Sequence, residues 1–233
     1  MLCEAISGRR VVYSKPRNCD LVACGSLYQR LQNHFWNRSV NVWGTGIIDK
    51  RSPYNTRHII HAVRGKLTAE TIANRSITTF GDPGLLSDIL LTEKNTVKKF
   101  RVGIIPHYVD QKNKIVTEFL KQKGVTFIDV FSETIDFMKQ VNECDIILSS
   151  SLHGLVVADS LGIPNAWIKI SDLVRGEGFK FADYYSAFEL EDIKPYPFSG
   201  STTIEEINSI HDMYKRNNIV QIKKNLLEAF PYC

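Results

Sequence analysis

The sequence has little that would place it in a membrane, in an oxidising compartment or among nucleic-acid-binding proteins. No run of 18 apolar residues occurs, so no membrane-spanning helix is predicted, and the first ten residues lack the apolar core of a signal peptide. The five cysteines are odd in number and include no CxxC pair, which favours free thiols in a reducing cytoplasm over disulfides or redox motifs. A net charge of +4 is too small to indicate nucleic-acid binding, but it suits an anionic small ligand or a loose contact with an anionic membrane surface.

Two common cofactor motifs are also missing. Gly44-Thr45-Gly46 follows a predicted strand, as in dinucleotide-binding folds, but the third glycine of that motif is absent and Asp49 occupies its position. We therefore reject NAD binding and interpret this stretch as a tight strand-to-loop turn that brings the backbone close to a ligand or to the next lobe. No group of His, Cys, Asp or Glu has metal-ligand spacing. We expect chemistry without a metal and without a bound cofactor.

The most informative stretch, residues 145–170, has the sequence DIILSSSLHGLVVADSLGIPNAWIKI. Its short apolar run at 146–148 is typical of a parallel strand that is buried on both faces. Apolar residues then recur at helical spacing until Gly162, and a second strand begins at Asn165. His153 is thus predicted at the first turn of a helix that follows a buried strand. Open α/β sheets bind anions there, because unpaired N–H groups and the positive end of the helix dipole converge.

The residues around His153 favour a ligand over a purely structural role. Ser149, Ser150 and Ser151 offer three hydroxyls and their backbone N–H groups, and Gly154 leaves the backbone open to a ligand. A histidine at this position could instead cap the helix or satisfy a local carbonyl. Simple packing does not require SSSLHG, so we interpret His153 as functional.

The order of elements predicts the fold class. Strands and helices alternate from residue 102 to residue 170, which is typical of a parallel, right-handed, doubly wound sheet. Five further strands are predicted at 10–14, 20–24, 41–43, 58–63 and 78–80, before a charged run at 92–99. We therefore predict an α/β protein with two Rossmann-like lobes. Their predicted bounds are 1–95 for an N-terminal lobe, 96–190 for a C-terminal lobe that contains SSSLHG, and 191–233 for a helical tail in which Thr203 and Glu206 fit a capping box.

Three further polar residues follow predicted strands, and each has a structural alternative. His107 follows the strand at 102–105 and should share a sheet edge with His153, although a solvated loop histidine is equally consistent with the pattern. Arg64 either covers a sheet edge or contacts an anion. Asp82 either bonds its own turn or lines a cleft.

A glycine-flanked segment near residue 176 adds further candidates. Arg175 and Lys180 supply positive charge beside two glycines, a pattern that suits a loop closing over a ligand. Asp183 and Tyr184 could bind sugar hydroxyls, although an aromatic run is more often part of a core.

Several motifs together resemble the polysaccharide pyruvyl transferase family, in particular its bacterial exopolysaccharide branch that forms pyruvate ketals. The longest is SSSLHGLVVADSLGIPNAWI, and five shorter ones occur in the family's order. These are VWGTGI at 42–47, AVRGKLT at 62–68, FGDPGLL at 80–86, GIIPHY at 103–108 and FKFADYYSAF at 179–188. Each is weak alone, but six in register are specific.

The resemblance implies transfer of a pyruvyl group from phosphoenolpyruvate, a co-substrate, to two hydroxyls of a sugar in an extracellular or capsular polysaccharide. It implies a GT-B-like pair of lobes, a cytoplasmic enzyme, a sugar or lipid-linked oligosaccharide acceptor, and peripheral contact with the inner membrane surface. The implied catalytic residues are His153, His107 and Asp82. The implied donor-binding residues are Arg64, Ser149, Ser150, Ser151, Gly154, Arg175 and Lys180, and the implied acceptor-binding residues are Asp183 and Tyr184.

The chain departs from the family pattern in two places. Many members carry an arginine where this chain has Ser151, which leaves open which basic residue binds the donor. An N-terminal strand and turn of the family are expected to be missing, so the first lobe is predicted to be incomplete. Two other functions stay open: a nucleotide-sugar glycosyltransferase, for which Asp159 is the one acidic candidate for the ribose, and a non-catalytic sugar-phosphate-binding protein.

Overall fold

The computed structural model describes residues 1–16, 18–31, 33–93, 96–176 and 178–232. These residues form two compact units, each built from separated parts of the chain. Unit 1 contains 1–86, 176–193 and 217–233, and unit 2 contains 87–175 and 194–216. None of the helices in the described ranges has the length and apolar character needed to cross a bilayer.

Unit 1 is built on a three-stranded parallel sheet. Its strands are β1 (Leu21–Val22), β2 (Asn41–Trp43) and β3 (Ile59–Ala62), in the order β1-β2-β3. Its α-helices are α1 (Leu2–Ser7), α2 (Lys66–Ala69), α6 (Phe179–Ser186) and α9 (Ile219–Glu228), and a 3₁₀ helix covers Tyr28–Arg30.

The core of unit 1 explains why the end of the chain belongs to it. Val42 and Val63 pack with Tyr28 and Ile47 in one apolar cluster. On α9, the Leu226 carbonyl accepts a hydrogen bond from the buried Trp43 indole nitrogen at 2.8 Å. A buried indole N–H needs such a partner, so the helix is fixed to β2 by more than apolar contact.

Unit 2 is built on a four-stranded parallel sheet. Its strands are β4 (Phe100–Ile105), β5 (Val125–Phe127), β6 (Cys144–Ser149) and β7 (Asn165–Trp167). Its α-helices are α3 (Lys114–Phe119), α4 (Thr134–Asn142), α5 (Leu152–Ser160), α7 (Ile204–Ile207) and α8 (Ile210–Met213), and a 3₁₀ helix at Pro83–Leu90 crosses the boundary between the units.

Both faces of the unit 2 sheet are buried, as the apolar run at 146–148 predicts. Ile146 and Leu148 pack in one cluster with residues of α3 and α7, whereas Ile147 packs in a second cluster with residues of α4 and α5. Successive side chains of a strand point to opposite faces, so helices on both faces require apolar residues at consecutive positions. The predicted α/β class with parallel sheets is confirmed.

The strand order of unit 2 reverses direction between two neighbouring strands. The order is β5-β4-β6-β7, so the chain leaves β4 towards one side, returns past it and continues with β6 on the other side. Such a reversal between neighbouring strands is a topological switch point, where α/β sheets bind ligands beside the carboxyl ends of the strands. Here it lies between β4 and β6.

The two units differ from the predicted contiguous lobes. Residues 176–190 belong to unit 1, because α6 packs against α2, and the tail is divided between both units. Lys94 and Asn95, inside the predicted charged boundary, lie outside the described residues. The capping box of Thr203 and Glu206 is confirmed at the start of α7. No disulfide joins the four cysteines in the described ranges.

Candidate functional site

Three serines form the turn between β6 and α5, and the hydroxyls of two of them form hydrogen bonds with backbone groups. Ser149 is fully buried, and its hydroxyl lies 2.9 Å from the Ile105 carbonyl and 2.7 Å from the Ser151 carbonyl while accepting from the Ser151 N–H at 3.0 Å. The buried Ser150 hydroxyl accepts from the His107 N–H at 2.8 Å. These contacts make Ser149 and Ser150 scaffold residues of the turn, and their direct contact with a donor stays a prediction.

Gly154 has a packing role at the same turn. A Cβ atom at this position would lie 2.4 Å from the Ser149 hydroxyl oxygen and 3.0 Å from Ile105. Glycine therefore lets the first turn of α5 approach the ends of β4 and β6. Its N–H donates to the Ser151 carbonyl at 3.1 Å, so Gly154 supports the turn.

Ser151 and His153 are the residues of this turn that solvent reaches. Ser151 is the N-cap of α5, is partly exposed, and makes no side-chain capping bond. His153 is exposed on the first turn of this nine-residue helix. The positive end of the helix dipole therefore lies beside an accessible imidazole and an accessible hydroxyl, an arrangement that suits a ligand with negative charge.

His107 lies across the switch point from this turn. It follows β4 and is partly exposed. Its backbone N–H donates a hydrogen bond to the Ser150 hydroxyl in the loop that follows β6. This bond joins the two loops at the carboxyl ends of neighbouring strands. The structure thus places both predicted histidines at one edge of one sheet.

Asp110 is a residue at this edge that the sequence analysis missed. It is 1% exposed, and one carboxylate oxygen accepts from the Ser171 hydroxyl after β7. The other oxygen has no hydrogen-bond partner among the residues that the structure describes. A buried carboxylate oxygen is costly to leave unsatisfied, which makes Asp110 a candidate for contact with a ligand. The available signal was a carboxylate three residues after a strand-end histidine.

In unit 1, Arg64 and Asp183 form a buried ion pair. Both side chains are 0% exposed, and the Arg64 Nε donates to Asp183 at 2.8 Å. The guanidinium also donates to Ser26 at 2.7 Å and to the Ile47 carbonyl. Asp183 accepts two further bonds from Thr68, each 2.7 Å long. Both groups are enclosed and occupied, which favours the structural alternative for Arg64. The donor contact of Arg64 and the acceptor contact of Asp183 stay predictions.

The Gly44-Thr45-Gly46 turn explains how a guanidinium fits into this core. A Cβ atom on Gly46 would lie 2.4 Å from the Arg64 guanidinium carbon. The turn brings backbone close to a side chain of the same unit, where the sequence analysis expected a ligand or the next lobe. The missing third glycine of the dinucleotide motif agrees with this internal role.

Asp82 and Tyr184 are also buried in unit 1. One oxygen of Asp82 accepts from the Gly84 N–H at 2.9 Å, which is the structural alternative considered for this turn. Burial, and after it the negative charge of Asp82, raise the pKa of the Cys24 thiol well above its ordinary value. The Tyr184 ring is fully buried and lies edge-on to Phe188, with centroids 5.2 Å apart. Turn formation by Asp82 and packing by Tyr184 are what the structure shows, and catalysis by Asp82 and acceptor binding by Tyr184 stay predictions.

Lys180 is the one predicted unit 1 residue of the donor set that keeps partial exposure. It lies on the first turn of α6, with its ammonium 5.3 Å from the centre of the Phe181 ring. Burial first, and the nearby Arg64 guanidinium second, lower the pKa of Lys180 to about 8. The ammonium is therefore close to deprotonation in mildly alkaline solution.

This lowered pKa predicts a pH-dependent stability difference for Lys180→Met. The folded state disfavours the charged amine, so this cost is fully present below about pH 8 and disappears as the pH approaches the ordinary lysine pKa near 10.5. Lys180→Met should therefore melt at a higher temperature than the wild type at pH 7, and this advantage should shrink by pH 10. Thermal melts of both proteins at the two pH values check the result. An equal difference at both would contradict the assigned environment.

Arg175 is exposed and belongs to unit 2, the unit that holds both histidines. It is the predicted donor-binding cation in that unit. Glu177, in the predicted closing loop, lies outside the described residues. In the described ranges, no three His, Cys, Asp or Glu side chains converge in a group that could hold a metal ion.

A cavity of about 590 Å³ lies in unit 2 away from these residues. Its lining comes from segments that immediately precede β4, β6 and β7, which is the opposite edge of the parallel sheet from the switch point. Its Lys98 amine is occupied, because it donates to the carbonyls of Asn142 and Cys144 at 2.9 Å each. None of the predicted site residues lines it.

Asp159 does not suit the role of a ribose-binding acid. Its buried carboxylate pairs with Arg216 at 2.8 Å and accepts from the Tyr214 hydroxyl at 2.9 Å and from the Asn165 amide. These bonds tie the segment after α8 to the end of α5. The acidic residue that a nucleotide-sugar site would need is therefore engaged in the core of unit 2.

These features are typical of an α/β protein that binds an anionic ligand at the switch point of a parallel sheet. A family model described as polysaccharide pyruvyl transferase matches residues 4–172, well over half of the chain, and the chain belongs to that family. The family predicted from the six motifs is thus confirmed.

Two relatives show how this chain compares with full-length proteins. It is 33% identical over 164 residues to the uncharacterized protein L143 of Acanthamoeba polyphaga mimivirus, a match that covers 66% of this chain and 57% of the relative. It is 24% identical over 125 residues to the succinoglycan biosynthesis protein ExoV of Rhizobium meliloti (strain 1021), covering 54% of this chain and 39% of that protein. The second match supports the bacterial exopolysaccharide branch, and no solved structure matches the chain.

Proposed function

We propose that this protein transfers the enolpyruvyl group of phosphoenolpyruvate onto two hydroxyls of a polysaccharide sugar, which forms a cyclic pyruvate ketal. The observation that carries the proposal is the exposed His153 on the first turn of α5, at the switch point of unit 2, in a chain of this family. The donor carries a phosphate and a carboxylate, both of which the positive end of a helix attracts.

The donor-binding groups that we propose are the opening turn of α5, Ser151 and Arg175. All three belong to unit 2 and are accessible to solvent. Ser151 occupies the position of the arginine found in many family members, so a guanidinium from elsewhere is required for a strong bidentate contact. Arg175 supplies one, whereas Arg64 is enclosed in its ion pair.

The proposed reaction needs one proton to be added and two to be removed. Protonation of the methylene carbon makes the central carbon of the donor electrophilic, and a sugar hydroxyl attacks it as its own proton is taken up by a base. The second hydroxyl then displaces phosphate, so that the products are the ketal and inorganic phosphate. Histidine titrates near neutrality and can give or accept these protons, and we assign the main proton transfer to His153 and a second one to His107.

Three broader features of the proposal come from the family. The acceptor is a sugar of a polysaccharide repeat, either free or as a lipid-linked oligosaccharide, and the two units act as the lobes of a GT-B-like enzyme. Because phosphoenolpyruvate is produced by central metabolism, we propose a cytoplasmic reaction. A peripheral contact with the inner membrane surface would bring a lipid-linked acceptor within reach.

Thermal melts with candidate donors test this proposal. A ligand that binds only the folded state stabilises it by RT ln(1 + [L]/Kd), about 2.7 kcal/mol at a hundredfold excess over Kd. For a chain of this length, millimolar phosphoenolpyruvate should raise the melting temperature by several degrees. UDP- and GDP-sugars should produce no comparable shift. The reverse pattern would favour a glycosyltransferase and would contradict the proposal.

Two substitutions of Ser151 give this experiment a matched control. Aspartate and asparagine are both good N-cap residues, so Ser151→Asp and Ser151→Asn should leave the stability of α5 intact. The added carboxylate repels an anionic donor, whereas the amide does not. We expect Ser151→Asp to lose most of the shift caused by phosphoenolpyruvate and Ser151→Asn to keep most of it. Equal shifts in both variants would place the donor away from α5.

A further inference from the structure

Two exposed aromatic side chains lie at the carboxyl edge of the unit 2 sheet and take no part in the proposed proton transfers. Tyr108 follows β4 and is 60% exposed, and Phe131 follows β5 and is 73% exposed. Their ring centroids are 6.3 Å apart, with an angle of 55° between the planes. Single exposed aromatics are common on proteins, but two neighbouring rings on adjacent strand ends form a continuous apolar surface.

One carboxylate holds the segments that carry these rings. Asp129 accepts from the Gln111 amide in the loop after β4 at 2.6 Å, and the same oxygen accepts from the Phe131 N–H at 3.0 Å. The His107 ring lies against Tyr108, with centroids 4.4 Å apart. We call the Tyr108 and Phe131 rings the aromatic platform. Because these contacts restrain the segments that carry the rings before a ligand arrives, less conformational freedom is lost on binding than with unrestrained side chains.

The platform is connected to the proposed reaction site along the sheet edge. His107 bonds through its N–H to Ser150, two residues before α5, and is followed directly by Tyr108. Neighbouring strands are about 4.8 Å apart, so the edge from β6 past β4 to β5 spans on the order of 10 Å. That span is comparable with one or two sugar rings.

We infer that Tyr108 and Phe131 form the subsite that binds a pyranose ring of the acceptor, with the histidine side of the platform towards the donor. This inference rests on the proposed function. A pyranose presents apolar C–H groups on its faces and hydroxyls around its rim, so it can stack on aromatic rings while its rim stays hydrated or hydrogen-bonded. Asp183 and Tyr184, the acceptor residues expected from the sequence, are buried in unit 1 and leave this role open.

Saturation-transfer NMR with simple glycosides tests the inference without any need for turnover. The probes are methyl β-D-galactopyranoside, methyl β-D-glucopyranoside and methyl β-D-mannopyranoside at millimolar concentration. At least one should receive saturation from the wild-type protein, and the signal should fall several-fold in Tyr108→Ala and in Phe131→Ala. Tyr108→Phe, which keeps the ring, should retain it. Phe35→Ala removes an even more exposed aromatic, which belongs to unit 1, and should also retain the signal.

The outcomes separate this inference from the proposed function. Suppose that phosphoenolpyruvate shifts the melting temperature of all these variants equally while both Tyr108→Ala and Phe131→Ala still bind the glycoside. In that case the platform is not the acceptor subsite. The same conclusion follows if none of the three glycosides binds the wild-type protein. If a glycoside binds through the rings while phosphoenolpyruvate has no effect, the subsite stands and the pyruvyl transfer proposal fails. In an active preparation, Tyr108→Ala should raise the acceptor KM more than it lowers kcat.

Discussion

Replacing His153 by alanine should reduce turnover by about 100-fold or more while leaving the melting temperature nearly unchanged. A loss of that order is expected when a general acid–base group is removed. The stability should not change much, because His153 is exposed on the first turn of α5 while the turn itself is held by the buried Ser149 and Gly154. Phosphate released from phosphoenolpyruvate in the presence of acceptor, together with a thermal melt, measures both effects.

His211 provides the matched control for this experiment. It is an exposed histidine of the same unit, on the short helix α8, and it is not at the carboxyl edge of the sheet. His211→Ala should therefore keep full activity. An active His153→Ala protein, or one that melts several degrees early, would show that His153 serves the fold instead of the reaction.

Removing one partner of the Arg64–Asp183 pair should destabilise unit 1 by about 3–5 kcal/mol. The remaining charge would stay in a site with 0% exposure and without its counter-ion, which is far more costly than losing a surface pair. Asp183→Asn preserves the shape of the side chain, and Arg64→Met preserves much of its length. Each should lower the melting temperature by roughly 10 °C.

An exposed pair and a double variant complete this second test. Lys121→Met breaks the exposed Glu118–Lys121 pair and should cost at most about 1 kcal/mol. Arg64→Met combined with Asp183→Leu removes both buried charges and should recover part of the loss, although Thr68 then loses its two acceptors. If Asp183→Asn melts like the wild type, the buried pair does not stabilise unit 1 as predicted.

The position of the candidate site at the switch point of unit 2 was largely predictable from the sequence, whereas the roles of its individual residues were not. The apolar run before Ser149, the glycine after the helix and the strand–helix alternation predict that His153 and His107 lie at one sheet edge, and the strand order confirms this. The pattern could not show which hydroxyls face inward. Ser149 bonds to a backbone group at the end of β4 and Ser150 to one in the loop that follows it, both more than 40 residues earlier in the chain.

The residues predicted in unit 1 show a different limit. Arginine and aspartate are seldom buried, so their presence near strand ends suggested contact with ligands. The buried Arg64–Asp183 pair joins residues that lie 119 positions apart in sequence. No local pattern encodes such a contact. Lys180 was expected beside a loop that closes over a ligand, whereas the structure places it on the first turn of α6. Its proximity to Arg64 follows from tertiary packing alone.

The sequence by itself determined the α/β class, the parallel sheets and the histidine at the start of α5, because these depend on hydrophobic periodicity and on glycine positions along a short stretch. Tertiary structure alone decided that α6 and α9 belong to unit 1 and that Arg64, Asp82 and Asp183 are buried. It also brought Tyr108 beside Phe131 on adjacent strands. Those features arise from contacts between segments that are distant in sequence. The free energy of such a contact depends on which two surfaces meet, and the order of residues within one segment does not reveal its partner.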